Sequence, residues 1–218
     1  MVPIRSRMMS SGKSVGAFAV LAGSVAGLTL AGISALLPVA TADAATATTC
    51  PETTLVQPFV KWQDSGYYSL VAGGSFEAGE PAWTLSGAAK VASGSETFAV
   101  TGKLGKSSLS LPEGASAQSQ LICVEPNDRT FRFFARSEGT SANVTVKVVY
   151  ENSAKKTSVT LTKSGTVSSS WAPSGILETG VPASSMVSGG VADLSITFIA
   201  TKGTARIDDV YLDPRMRR

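Results

Sequence analysis

Apolar and polar positions alternate along most of the chain after residue 50. Val144, Val146, Val148 and Tyr150 fall on one side of a run whose other side carries Thr145, Lys147, Val149 and Glu151. A period of two is the mark of a half-buried strand, because successive side chains point to opposite faces. Phe131, Phe133 and Ala135 likewise face one way, and Arg132, Phe134 and Arg136 the other. Residues 157–162 and 194–199 alternate too. Further strands are predicted at 68–71, 83–85, 90–92, 97–101, 107–111, 120–124 and 205–212. Turn residues punctuate them: Gly73-Gly74, Gly102, Gly105, Gly165, Gly189-Gly190 and Lys202-Gly203 among others. Short strands with turns every 8–12 residues predict an all-β sandwich of two antiparallel sheets. No long helical period follows residue 50; one helical turn is expected within residues 182–187.

The first 44 residues follow another pattern. Arg5, Arg7 and Lys13 precede an uncharged run from Val15 to Ala40 that is rich in Ala, Gly, Leu and Val. Ala42-Asp43-Ala44 then supplies the small-residue site that signal peptidases cut. Residues 1–44 are therefore predicted to be a cleaved signal peptide, with no stable membrane anchor left afterwards. The alternative is a retained anchor helix, since the run is long enough to span a bilayer. Residues 45–67 read as an irregular N-terminal arm carrying Phe59, Trp62 and Tyr67, and residues 68–218 as the sandwich domain.

Composition narrows the chemistry. Hydrophobic residues make up 43% of the chain, charged residues 16%, and histidine is absent. Without histidine there is no Ser-His-Asp triad, no Cys-His dyad and no histidine metal site. Beyond residue 44, 16 basic residues face 15 acidic ones. So small a net charge gives no steering towards nucleic acid, and a monomer is expected. Cys50 and Cys123 are the two cysteines, and in an exported protein they are expected to pair. Closing a loop of about 74 residues would stabilise the fold by on the order of 4 kcal/mol in the chain-entropy account.

Several segments, taken in order, carry a family resemblance. Leu70-Val71-Ala72-Gly73-Gly74-Ser75-Phe76-Glu77-Ala78-Gly79 is followed by Trp83, and Ala205-Arg206-Ile207-Asp208-Asp209-Val210-Tyr211-Leu212-Asp213 comes near the end. Gly105-Lys106-Ser107-Ser108-Leu109, the strand from Thr130 to Arg136, and Ser170-Trp171 lie between. This set resembles the jelly-roll carbohydrate-binding modules of the galactose-binding-domain-like class, and its layout is similar to that of secreted actinobacterial proteins. It departs from the class pattern in having Gly74-Ser75 before Phe76-Glu77, and Ala82 before Trp83. The resemblance implies a jelly-roll β-sandwich and a non-catalytic, glycan-binding role. It also implies a structural calcium held by Glu77, by Asp208 or Asp209, and by main-chain carbonyls. Calcium takes about 6–8 hard oxygen ligands. On a regular strand Asp208 and Asp209 face opposite ways, so one at most should point inward; the alternative is that both are exposed.

For the glycan, Phe134 flanked by Arg132 and Arg136 is the candidate platform. An aromatic face meets the apolar C–H face of a sugar while cationic donors meet its hydroxyls. Lys147 and Glu151 are expected on that same sheet face. The competing expectation is that the arm covers Phe134. Trp83, Trp171, Phe76 and Ile207 are expected in the core. Two other roles compete with glycan binding: a structural or protein-interaction sandwich with no sugar site, and a hydrolase using Glu77 and an aspartate as a carboxylate pair.

Overall fold

Among the described residues, fourteen strands arranged in two antiparallel sheets account for the alternating pattern. The computed structural model describes residues 49–77, 82–151, 157–181 and 190–214. The predicted signal peptide and the helical turn at 182–187 lie outside the described residues. The strands are β1 (Leu55–Val56), β2 (Tyr68–Leu70), β3 (Trp83–Ser86), β4 (Lys90–Ser93), β5 (Ser107–Leu111), β6 (Ser116–Ser119) and β7 (Ile122–Val124). They continue with β8 (Thr130–Ser137), β9 (Ser141–Glu151), β10 (Thr157–Ser168), β11 (Ala172–Pro173), β12 (Leu177–Glu178), β13 (Ala192–Lys202) and β14 (Ala205–Asp213).

In the first sheet β14 is central. It pairs with β5 and β2 along one side and β8 along the other; β4 and β1 extend one edge, β11 and β12 the other. The second sheet runs β10-β9-β13-β6-β3, with β7 beside β6 on the same flank of β13. The chain is thus a jelly-roll-type β-sandwich. Between the sheets lie Leu109, Leu111, Phe131, Phe133, Val144, Val146, Val148, Leu194, Ile196, Phe198 and Ile207, all buried. Phe76 joins this core from the turn after β2, its ring 5.2 Å from that of Trp83, which in turn stacks on Phe198. Among the described residues no helix is long and apolar enough to cross a membrane.

Three local expectations are corrected. Residues 97–101 form a loop, not a strand: Phe98 and Val100 donate their main-chain N–H groups to the buried Glu96 carboxylate instead of to a neighbouring strand. Gly165 does not end a strand but lies inside β10, paired with Val144. The apolar run at 120–124 yields only β7, and β6 precedes it, because both pair with successive stretches of β13.

Cys50 and Cys123 are joined by a disulfide. The bridge ties the segment before β1 to β7, and the Cys50 N–H also donates to Glu125 Oε1 at 2.9 Å.

Candidate functional site

The predicted sugar platform is sealed. Parity places Phe134 on the outer face of the first sheet, as expected, yet its side chain is fully buried. The arm supplies the cover. Phe59 opens a short 3₁₀ turn, Val60–Trp62, and stacks on Phe134 at 5.4 Å and 20°. Trp62 and Phe98 close the remaining sides at 5.2 and 5.7 Å. Tyr68 and Tyr211 complete this second apolar cluster.

Arg132 is equally committed. It donates to Asp64 Oδ2 at 2.7 Å and to the Ser174 carbonyl, and its guanidinium lies 4.3 Å from the Phe59 ring centre. Burial pulls the Asp64 carboxyl upward, but hydrogen bonds from Tyr68, the Gly66 N–H and Arg132 outweigh it and hold the group below its ordinary value. Arg136 sits over the half-buried Trp171 ring at 5.5 Å. Phe134, Arg132 and Arg136 therefore fasten the arm and the 171–174 segment to the sheet, and Phe134 offers no ring to solvent. Lys147 and Glu151 are not their neighbours either. Both lie on β9, in the other sheet.

The predicted calcium residues do converge, with a partner that sequence reading missed. Both aspartates are buried, Asp208 at 0% and Asp209 at 3% exposure. Neither is exposed, which removes the alternative of two exposed aspartates. Asp208 shares the outward parity of its partner Phe134 and lies buried against Ser95 and the Glu96 N–H, while Ile207 and Val210 face the core. β14 carries a bulge between Asp208 and Tyr211, with Asp209 at a φ of 45°. A bulge lets two successive side chains leave the strict alternation, and aspartate tolerates the left-handed region better than most residues.

Asp208 Oδ2 accepts from Ser95 Oγ at 2.7 Å and from the Glu96 N–H at 2.8 Å; its Oδ1 accepts from the Asp209 N–H. Glu77 Oε1 accepts the Lys106 and Ser107 N–H groups at 2.7 and 3.0 Å. At Gly105 a Cβ would stand 2.5 Å from Ser95 Oγ and 2.6 Å from Glu77 Oε1, so only glycine fits there. Arg206 pins the start of the same loop, donating to the carbonyls of Ala92, Ser93 and Gly94, each at 2.8 Å.

Burial pushes the Asp208 carboxyl up to about 7, with the Glu96 charge adding to it against three hydrogen bonds that pull it down. Burial pushes Asp209 up to about 8, helped by the charges of Asp208, Glu96 and Glu77. Among the described residues no donor reaches the Asp209 carboxylate, and no three acidic side chains meet at one metal-sized point. The donor set suits a hard cation only if main-chain carbonyls complete the shell.

Among the described residues, the outer face of the second sheet exposes Thr84, Gln118 and Thr162, with Thr197 and Lys147 half-buried between them. One row crosses all five of its long-paired strands in register: Thr84, Gln118, Thr197, Lys147 and Thr162. At the usual spacing of about 4.8 Å between strands it is roughly 19 Å long. The next row is Ser86, Ser116, Ile199, Thr145 and Ser164. Hydrogen bonds hold parts of this surface in place, Thr145 to Ser164 at 2.7 Å and Gln118 to Ser195 at 3.1 Å. No aromatic ring stands in either row.

No protein-family model and no curated protein matches the sequence. The structure is similar to solved carbohydrate-binding modules. One is a xylan-binding domain of family CBM22, 21% identical, with 69% of this chain and 96% of that one covered and a TM-score of 0.45. Another is a CBM61 module in complex with β-1,4-galactotriose, 18% identical, with 66% and 96% covered and a TM-score of 0.41. A CBM4 module is 16% identical, with 66% and 99% covered and a TM-score of 0.45.

Proposed function

We propose that the protein is a secreted, non-catalytic glycan-binding module whose ligand lies across the outer face of the second sheet. The observation that carries this reading is the in-register row Thr84-Gln118-Thr197-Lys147-Thr162. It presents hydroxyl, amide and ammonium groups at regular intervals, the donor and acceptor chemistry that a polysaccharide's hydroxyl rims require. Export is supported by the disulfide, since such bridges persist in oxidising compartments. Burial of Asp208, Asp209 and Glu96 supports a non-catalytic role, because a glycosidase pair must reach its substrate. In affinity electrophoresis through gels containing soluble polysaccharides, the protein is expected to be retarded by at least one of them. Free migration through a broad panel of neutral and uronate-bearing polymers would refute the reading.

One observation favours a second reading, a structural or protein-interaction sandwich. The aromatic face is filled by the chain's own arm, which leaves the second sheet's outer rows without a stacking ring. On that reading the protein is not retarded by any polysaccharide.

We also propose that a structural calcium sits at the Glu77-Asp208-Asp209 cluster, with Glu96 beside it. The Asp209 carboxylate, buried beside Asp208, Glu96 and Glu77 with no donor reaching it among the described residues, supports this. The consequence for stability has a definite sign. Both aspartates have folded-state values raised above the ordinary 3.8. In metal-free protein their contribution to stability is therefore full below about pH 4 and is lost as pH rises through 7 to 8. Calcium reverses this penalty. Its gain, about 2.7 kcal/mol at 100 times Kd, is expected to be largest near pH 8. Scanning calorimetry with chelator and with millimolar calcium at pH 5 and pH 8 checks it. An Asp209→Asn variant should lose the calcium response, and a melting temperature indifferent to calcium at both pH values would remove the site.

A further inference from the structure

We propose that the lateral edge of the sandwich holds a second site, which takes a single linear apolar chain with an anionic head group, such as a carboxylate. A groove of about 340 Å³ opens there between β10 of one sheet and the 172–177 segment of the other. That volume lies within the roughly 300–1,000 Å³ of small-molecule sites. Its floor is the sandwich core itself, Phe133, Ala135, Val144 and Val146.

The sequence of β10 makes the opening. Register pairs Lys163 with Val146, Gly165 with Val144 and Val167 with Ala142, so these three residues belong to the inner side of the strand. A strand that closed the core would carry large apolar side chains at all three. Here the middle one is glycine, and a Cβ at Gly165 would meet nothing within 4 Å. On the opposite wall Gly175 is equally unfilled. The groove lines up with residues 163–168 of β10, a length of roughly 17 Å at about 3.4 Å per residue. It is long for its volume, the shape that fits an extended chain.

Two features select the ligand. The side chains of the floor offer no donor or acceptor, and burying a sugar's hydroxyls against them without partners is unfavourable. Lys163, on the inner side of β10, lines one end of the groove and is exposed, and among the described residues no carboxylate pairs with it. A lysine in that position lays its methylene stem along apolar surface and keeps its ammonium in water, where it meets an anionic head group. The groove floor belongs to the inner side of the sheets, whereas the proposed glycan row crosses the outer side of β3, β6, β13, β9 and β10, so the two ideas fail separately.

The test is titration of the protein with octanoate and with 1-octanol, followed by backbone amide shifts in NMR and by calorimetry. Both probes are expected to shift the amides of Val146, Gly165 and Val167. Lys163→Gln should weaken octanoate about three- to fivefold, the size of an exposed ion pair, and leave 1-octanol unchanged. Gly165→Leu should abolish binding of both probes while polysaccharide retardation and melting temperature persist. The unaltered protein's shift map stands on its own should that variant fold poorly. Amide shifts confined to other parts of the protein, no binding of octanoate, or loss of polysaccharide retardation in Gly165→Leu would each overturn the proposal.

Discussion

Replacing Phe134 by alanine is expected to cost about 3–5 kcal/mol, the range of buried aromatic truncations, and to loosen the N-terminal arm. Phe134 is fully buried although it lies outside the space between the sheets. Its ring is the floor on which Phe59, Trp62 and Phe98 rest. Removing it leaves a cavity beneath three rings that cannot all collapse into it, so transfer and cavity terms add. The loss should match that of Phe76→Ala in the main core, because both side chains are almost wholly out of water. Denaturant unfolding compares the two. A Phe134→Ala loss below about 1 kcal/mol would show that the arm does not cover the sheet.

Breaking the Cys50–Cys123 bridge is expected to cost about 2–5 kcal/mol. The two residues lie 73 positions apart and their Cα atoms 5.6 Å apart. The bridge anchors the segment that leads into β1 and the arm, so its loss frees the chain that covers Phe134. Cys50→Ser should therefore unfold at lower guanidinium concentration, and reductant should shift the natural protein by the same amount. Peptide mapping that recovers both cysteines as free thiols from exported protein would contradict the pairing.

Much of this architecture is legible in the sequence because alternation reports burial directly. The inner residues of β8, β9 and β13 follow from period two alone, and so does the outward parity of Phe134. What parity cannot report is which segment covers an outer face. The arm's rings gave a hint, but only packing decides that Phe59 lies flat on Phe134. The Asp208-Asp209 bulge is illegible for a related reason. Nothing in Ile207-Asp208-Asp209-Val210 marks Asp209 as the left-handed residue or names the Ser95-Glu96 loop that buries Asp208. Glu96 was missed because its role is to accept the N–H groups of its own loop, a local bond that leaves no periodic trace. The apolar residues that follow it imitate a strand. Gly165 misled in the opposite direction, because glycine usually marks a turn and here sits inside a long paired strand.

The glycan-binding claim is tested most directly by altering the second sheet's outer face without touching the core. Thr197 and Gln118 face each other across β13 and β6, and Lys147 lies beside Thr197 on β9. All three side chains belong to the outer face, so a triple alanine variant should stay folded and lose only the modest stability of the Gln118–Ser195 hydrogen bond. Its retardation in polysaccharide-containing gels should be lost, while alanine at Arg136, on the other sheet, leaves retardation intact. Undiminished retardation of the triple variant would contradict the account.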